Sequence, residues 1–95
     1  MILTYGKIIS ERIEQLYKIR NMNTADLSRS SGLTQSTINS ILNGKSANPK
    51  MSIITLIAKG FDMTVTAFLD FPLLNRLNKD QALELKNNGK IEINE

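Results

Sequence analysis

Between Met22 and Gly44 the chain reads MNTADLSRSSGLTQSTINSILNG, and its punctuation leaves little freedom of fold. Gly32 and Gly44 each follow a short run with helical spacing, where a helix end favours a residue that takes positive φ. Ahead of the first run Asn23 is placed to cap, with Asp26 three residues on completing a variant of the capping box. Met22 before that cap and Leu27 at the fourth helical position make a hydrophobic staple. The arrangement returns with Thr34 as cap and Leu33 and Ile38 as staple, and again with Thr64, Met63 and Phe68. One such signal is weak; three of one geometry fix three helix starts.

The second and third helices are therefore expected over about residues 24–31 and 35–43, with only Leu33 and Thr34 between Gly32 and the third helix. A turn this short containing Gly is that of a helix-turn-helix. Upstream, Ile9, Ile13, Leu16 and Ile19 follow helical spacing, widened by Ile8 and Tyr17. They predict a first helix from Tyr5 or Lys7 to Arg20, with Asn21 as its stop. The loop KSANPK, residues 45–50, holds Pro49, which forbids much helix before it. A fourth helix over Met51–Phe61 is read as the core helix, burying Ile53, Ile54, Leu56, Ile57 and Phe61. A fifth, Val65–Phe71, stops before Pro72. Beyond it the pattern loosens. Leu73, Leu74 and Leu77 are apolar, residues 80–87 offer an amphipathic turn or two with Leu83 and Leu85, and Gly89 ends them. Ile91 and Ile93 alternate like a short strand. The reading is an all-α bundle of five helices over residues 1–71 with a short C-terminal extension, residues 72–95.

The third helix carries the functional signal. Ile38, Ile41 and Leu42 take one side, and Gln35, Ser36, Asn39, Ser40 and Asn43 take the other. A merely solvated face normally uses Glu and Lys, which favour helix, whereas Ser and Asn do not. Poor helix formers on an exposed helix imply a partner, and short groups that both donate and accept suit the edges of DNA bases. Charge agrees in direction. Residues 1–60 hold eight basic and three acidic side chains, a net +5, and residues 61–95 hold four and six, a net −2. A basic front suits a polyanion, although an ordinary solvated surface accounts for the charge about as well.

Composition narrows the alternatives. The 95 residues suffice for one small domain with a modest core. The chain has no Cys and no His, which removes disulfides, thiol nucleophiles and the commonest metal ligands and general base. No nucleophile–base pair, metal-ligand cluster or phosphate-binding glycine loop is legible, so no enzyme, metal or cofactor is expected. No signal peptide is seen and no apolar run approaches the roughly 20 residues a membrane span needs, so a soluble, cytoplasmic protein is expected.

With these residues in view, positions 9–70 resemble the XRE/Cro-type helix-turn-helix family of phage repressors and bacterial regulators. The resemblance rests on Ser28, on Gly32 at the turn, on Leu27, Leu33, Ile38 and Ile41, and on the string TQSTINSILNGKSANP. It implies a compact five-helix fold whose third helix enters the major groove, usually as a two-fold dimer on an inverted repeat. By position it makes Gln35 and Ser36 the principal base readers, followed by Asn39 and Ser40 a turn later. It assigns phosphate contacts to Asn23 and Thr24 at the second helix's N-terminus, to Thr37, to Asn43, Lys45, Ser46 and the loop amides, and to Lys50. Some positions depart from the family. Thr24 replaces a frequent Gln and Tyr17 a common Arg, each weakening backbone binding unless Lys18 or Arg20 compensates. Ser31 replaces an apolar residue, against tight packing of the second helix. Asp62 stands at a frequent Gly position, with Gly60 two residues early.

The leading expectation is a sequence-specific transcription regulator. The alternative is a DNA-binding antitoxin or other interaction module that contacts a protein partner through residues 73–95. For that segment, simple covering of the core weighs about as much as a dimer contact.

Overall fold

The structure is a computed structural model that describes residues 1–93. Helix α1 (Tyr5–Arg20) begins at the earlier of its two expected positions because Thr4 caps it, the Thr4 hydroxyl accepting from the Lys7 amide at 3.0 Å. It ends at Asn21, which takes the left-handed conformation with φ 52°. Helices α2 (Thr24–Ser31), α3 (Gln35–Leu42), α4 (Met51–Gly60) and α5 (Val65–Leu69) follow. All three expected caps form, with Asn23, Thr34 and Thr64 each accepting from the amide three residues on. The Asp26 carboxylate closes the capping box by accepting from the Asn23 amide at 3.0 Å. Met22 and Met63 lie half-buried against the core that encloses Leu27 and Phe68, as stapling requires.

Helix α3 is one residue shorter than expected, Asn43 being its C-cap, and α4 ends at Gly60 with Phe61 as its C-cap. Helix α5 stops at Leu69. Phe71 is extended, φ −146° and ψ 152°, as a residue before proline prefers. Pro72 then opens a short helix α6 (Pro72–Asn75), since its missing N–H is no loss in a first turn. Helix α7 (Lys79–Asn88) is longer than the turn or two expected; a capping box of Asn78 and Gln81 starts it and Gly89, φ 76°, stops it. The expected C-terminal strand is β2 (Ile91–Glu92), and its partner is β1 (Ile2–Leu3) at the other end of the chain. They pair antiparallel, with Ile2 opposite Glu92 and Leu3 opposite Ile91. The Met1 ammonium donates to the Ile93 carbonyl at 3.0 Å and the Ile93 amide to the Met1 carbonyl at 2.8 Å.

Apolar burial falls into two clusters. The larger joins Ile9, Ile13 and Leu16 of α1 to Leu27, Leu33, Ile38, Ile41, Ile54, Ile57, Phe61 and Phe68. The smaller joins Leu3, Ile8, Phe71, Leu85 and Ile91, so the extension covers the N-terminal strand and the start of α1. Two expected core positions lie outside. Ile19 is 66% exposed and Leu56 42% exposed. At 3.6 residues per turn, Arg20 rather than Ile19 continues the line of Ile9, Ile13 and Leu16, and Leu56 points nearly opposite Ile54.

Two of the family departures prove to be partners. A Cβ on Gly60 would stand 2.8 Å from Leu27 Cδ1 and 2.9 Å from Ser31 Cβ. Helices α2 and α4 thus approach closely because Ser31 is small and Gly60 has no side chain, and Ser31 is buried after all. Asp62 takes the turn with φ 58°, in the left-handed region. Arg12 fixes α5 to α1, its guanidinium donating to the carbonyls of Phe68 at 2.7 Å and Ala67 at 2.9 Å and lying over the Phe71 ring. Desolvation lowers its pKa, which Asp70 partly offsets, and an arginine so placed stays charged. Among the described residues, no helix is long and apolar enough to cross a membrane.

Candidate nucleic-acid interface

Helix α3 is held by its inner side and open on its outer side. Ile38 and Ile41 are fully buried, whereas Gln35, Ser36 and Asn39 are exposed and make no side-chain hydrogen bond within the described residues. No residue of α3 is charged. Its orientation on α2 is set by the turn. The Ser28 hydroxyl donates to the Leu33 carbonyl at 2.6 Å, and the Ser31 hydroxyl accepts from the Leu33 amide at 3.1 Å. Both backbone groups of Leu33 are thereby satisfied by serines of α2. Apolar spacing gives no sign of this role for Ser31, which stands where an apolar side chain is expected.

The remaining candidates divide by how far their groups are already used. The Ser40 hydroxyl donates to the Ser36 carbonyl at 2.9 Å and is half-buried, so it offers a ligand chiefly acceptor capacity. Thr37 shares a 2.9 Å hydroxyl contact with the Thr34 cap. The Asn23 side-chain oxygen accepts from the Asp26 amide at 2.9 Å, leaving its NH2 group to donate outward. Asn43 likewise accepts from the Lys45 amide at 3.2 Å through its oxygen and keeps its NH2 group. Thr37, Ser40, Ser46 and Lys50 meet around one cleft of about 360 Å³ between α3 and the following loop, lined also by Ile41, Asn48, Pro49 and Ile53. Lys45 and Lys50 are exposed, and among the described residues neither pairs with a carboxylate.

The other two departures also meet. The Tyr17 hydroxyl lies 3.1 Å from Thr24 Oγ1 and donates to it. Burial raises the Tyr17 phenol above its ordinary value of 10.0, and the negative charges of Glu14 and Asp26 add to this, so the donor stays protonated. Thr24 keeps its own proton free to give at the N-terminus of α2, where the helix dipole and free amides favour an anion. Of the two residues expected to compensate for Tyr17, Arg20 is turned to the end of α4, donating to the Phe61 carbonyl at 2.6 Å, whereas Lys18 is exposed.

The loop after α3 is tied at three points. The Lys45 amide bonds Asn43, the Ser46 amide donates to the Ser40 carbonyl at 2.8 Å, and the Gly6 amide of α1 donates to the Ala47 carbonyl at 2.8 Å. The Gly6 contact has no local sequence signal, because it joins residues 41 positions apart.

This geometry has known counterparts. The family model of the Cro/C1-type HTH DNA-binding domain matches residues 12–72, well over half of the chain. The chain belongs to the Cro/C1-type helix-turn-helix family. Among solved structures, the crystal structure of the prophage Lp1 protein 11 is similar with a TM-score of 0.69 at 29% identity, over 79% of this chain and 99% of that one. The wild-type restriction-modification controller protein C.Esp1396I gives a TM-score of 0.63 at 24% identity, over 75% of this chain and 88% of that one. The SinR protein/SinI protein complex gives 0.59 at 21% identity, over 85% and 81%. The latter two establish the fold alone. Among curated proteins none matches this chain. As a member of the Cro/C1-type family, the chain is a DNA-binding transcription regulator.

Proposed function

We propose that the protein regulates transcription by setting α3 into the major groove of a specific site, as a homodimer on an inverted repeat. The observation that carries this is the uncharged, exposed face of Gln35, Ser36 and Asn39 on a helix anchored by buried Ile38 and Ile41. Gln35 is suited to bond an adenine edge in two places. Ser36 and Asn39 reach neighbouring bases, and Ser40 joins them as an acceptor. Asn23, Thr24, Thr37, Asn43, Lys45, Ser46 and Lys50 hold phosphates, which position the protein without carrying sequence information. Residues 1–71 then serve DNA, and residues 72–95 supply the dimer or partner contact. Leu83, exposed on α7, gives that segment apolar surface.

Selection of bound fragments from random duplex DNA tests the whole reading, because it reports binding, the site and any half-site symmetry together. Gln35→Ala is expected to relax preference at one base pair and cost about 1–3 kcal/mol there. Lys45→Ala is expected to weaken all sequences alike and reduce the salt dependence by the share of one phosphate. An unaltered base preference in the Gln35 variant removes that residue from the readers. Leu83→Lys should turn a dimer into a monomer by sedimentation, and a dimer unaffected by it places the contact elsewhere.

A further inference from the structure

Gly6 occupies the second position of α1, where a helix leaves the amide without an internal partner. Here that amide donates to the Ala47 carbonyl at 2.8 Å. A Cβ at Gly6 would stand 1.9 Å from the Ser46 carbonyl oxygen, 3.0 Å from its carbon and 3.2 Å from Ala47 Cα. All three atoms are main chain, so no side chain can rotate to make room. The glycine is needed for close approach rather than for an unusual φ, unlike Gly32, Gly44 and Gly89. On its other side the same loop is held by the Ser46 amide on the Ser40 carbonyl at the end of α3. The loop that carries Lys45, Ser46 and Lys50 is therefore gripped between α3 and the first turn of α1. Gly6 precedes residues 12–72 that the family model matches, so this grip is supplied from outside the matched part of the chain.

We propose that Gly6 is a positioning residue for DNA binding: its bare backbone seats the loop after α3 so that Lys45, Ser46 and Lys50 meet the phosphates beside the base-reading helix. This rests on the assignment of those three residues to phosphate. Gly6 touches no nucleic acid itself. A side chain at position 6 pushes the Ser46–Ala47 peptide away by more than an ångström, judged from the 1.9 Å approach against the 3.0 Å that real Cβ contacts respect. The phosphate contacts are lost while the face of Gln35, Ser36 and Asn39 stays.

The test uses the full chain, wild type and Gly6→Ala, against the duplex recovered by selection and a mixed-sequence duplex. At a temperature where circular dichroism shows both proteins folded, the variant is expected to bind each duplex about tenfold more weakly. Its salt slope should be smaller by about one to two, with the preference between duplexes kept. Lys45→Ala should cost less in the Gly6→Ala background than in wild type, because the lysine is already displaced. General destabilisation moves neither the salt slope nor that coupling. Should Gly6→Ala fail to fold, amide exchange in wild type alone decides. The Gly6 N–H is expected to be protected without DNA and more so with it. Rapid exchange at Gly6, or equal affinity and salt slope in the variant, overturns the proposal while leaving the DNA reading intact. Wild type that binds neither duplex overturns both.

Discussion

Replacing Gly60 by Ala tests the packing of α2 on α4 directly. The added methyl would meet Leu27 Cδ1 at 2.8 Å, Ser31 Cβ at 2.9 Å and Ser30 Oγ at 3.2 Å. Comfortable carbon–carbon contact lies at about 3.5–4.0 Å, so the two helices must part by about 0.7–1.2 Å or Leu27 must leave its rotamer. Leu27 is fully buried, so a change of rotamer there disturbs packed neighbours rather than solvent. Overpacking of this kind costs about 1–3 kcal/mol. Against it stands the helix preference of Ala over Gly, at most about 1 kcal/mol in a helix interior and less at Gly60, the last residue of α4. The net expectation is a loss of about 1–2 kcal/mol. In a domain of this size that lowers the melting temperature by about 4–15 °C. Thermal and urea unfolding followed by circular dichroism measure it. An unchanged or raised melting temperature would refute the argument, because it would mean that α2 and α4 have room that the structure denies them.

Three further outcomes are expected. Asp62→Gly relieves the left-handed strain at φ 58° of an exposed residue, so urea unfolding should show a gain of about 0.5–1 kcal/mol. Asn23→Ala and Thr64→Ala each remove one N-cap, at about 1 kcal/mol of stability; duplex titration should show weaker DNA binding only for Asn23→Ala. The Tyr17 phenol is raised above 10.0 chiefly by desolvation, so the unfolded chain ionises first and this contribution is present below pH 10 and lost as pH climbs past it. Tyr17→Phe should therefore lose about 0.5–1.5 kcal/mol at neutral pH, yet decline less steeply than wild type in urea midpoints taken through the alkaline range.

What the sequence made legible was whatever is decided within a few residues. The caps at Asn23, Thr34 and Thr64 and the stops at Asn21, Gly32 and Gly89 each act on their own turn, and all appear in place. Asn78 and Gln81 carry the same kind of local signal at the start of α7, and their capping box makes that helix longer than its apolar spacing alone implies. Leu56 and Ile19 were misplaced because an apolar residue beside a core stripe looks like part of it, and the angle around the axis decides. The illegible features are those made by distant partners. No local pattern announces that Ile2 pairs with Glu92, that Arg12 binds the carbonyls ending α5, or that Ser31 is small because Gly60 lies against it. For the candidate interface the face of α3 could be read from periodicity. Which hydroxyls are already engaged could not: the Ser40 proton goes to the Ser36 carbonyl, and the Thr24 oxygen accepts from Tyr17 while its proton stays free.

The second apolar cluster gives this molecule a seam. Leu3 and Ile8 from one end meet Phe71, Leu85 and Ile91 from the other, and bringing such distant segments together is a closure favoured only once the intervening helices stand. The two-stranded pairing of β1 with β2 is thus expected to form after the bundle and to open before it, and amide exchange at Ile93 faster than at Ile57 would show this. Because each strand's partner is the other, loss of either end leaves the other without its pairing.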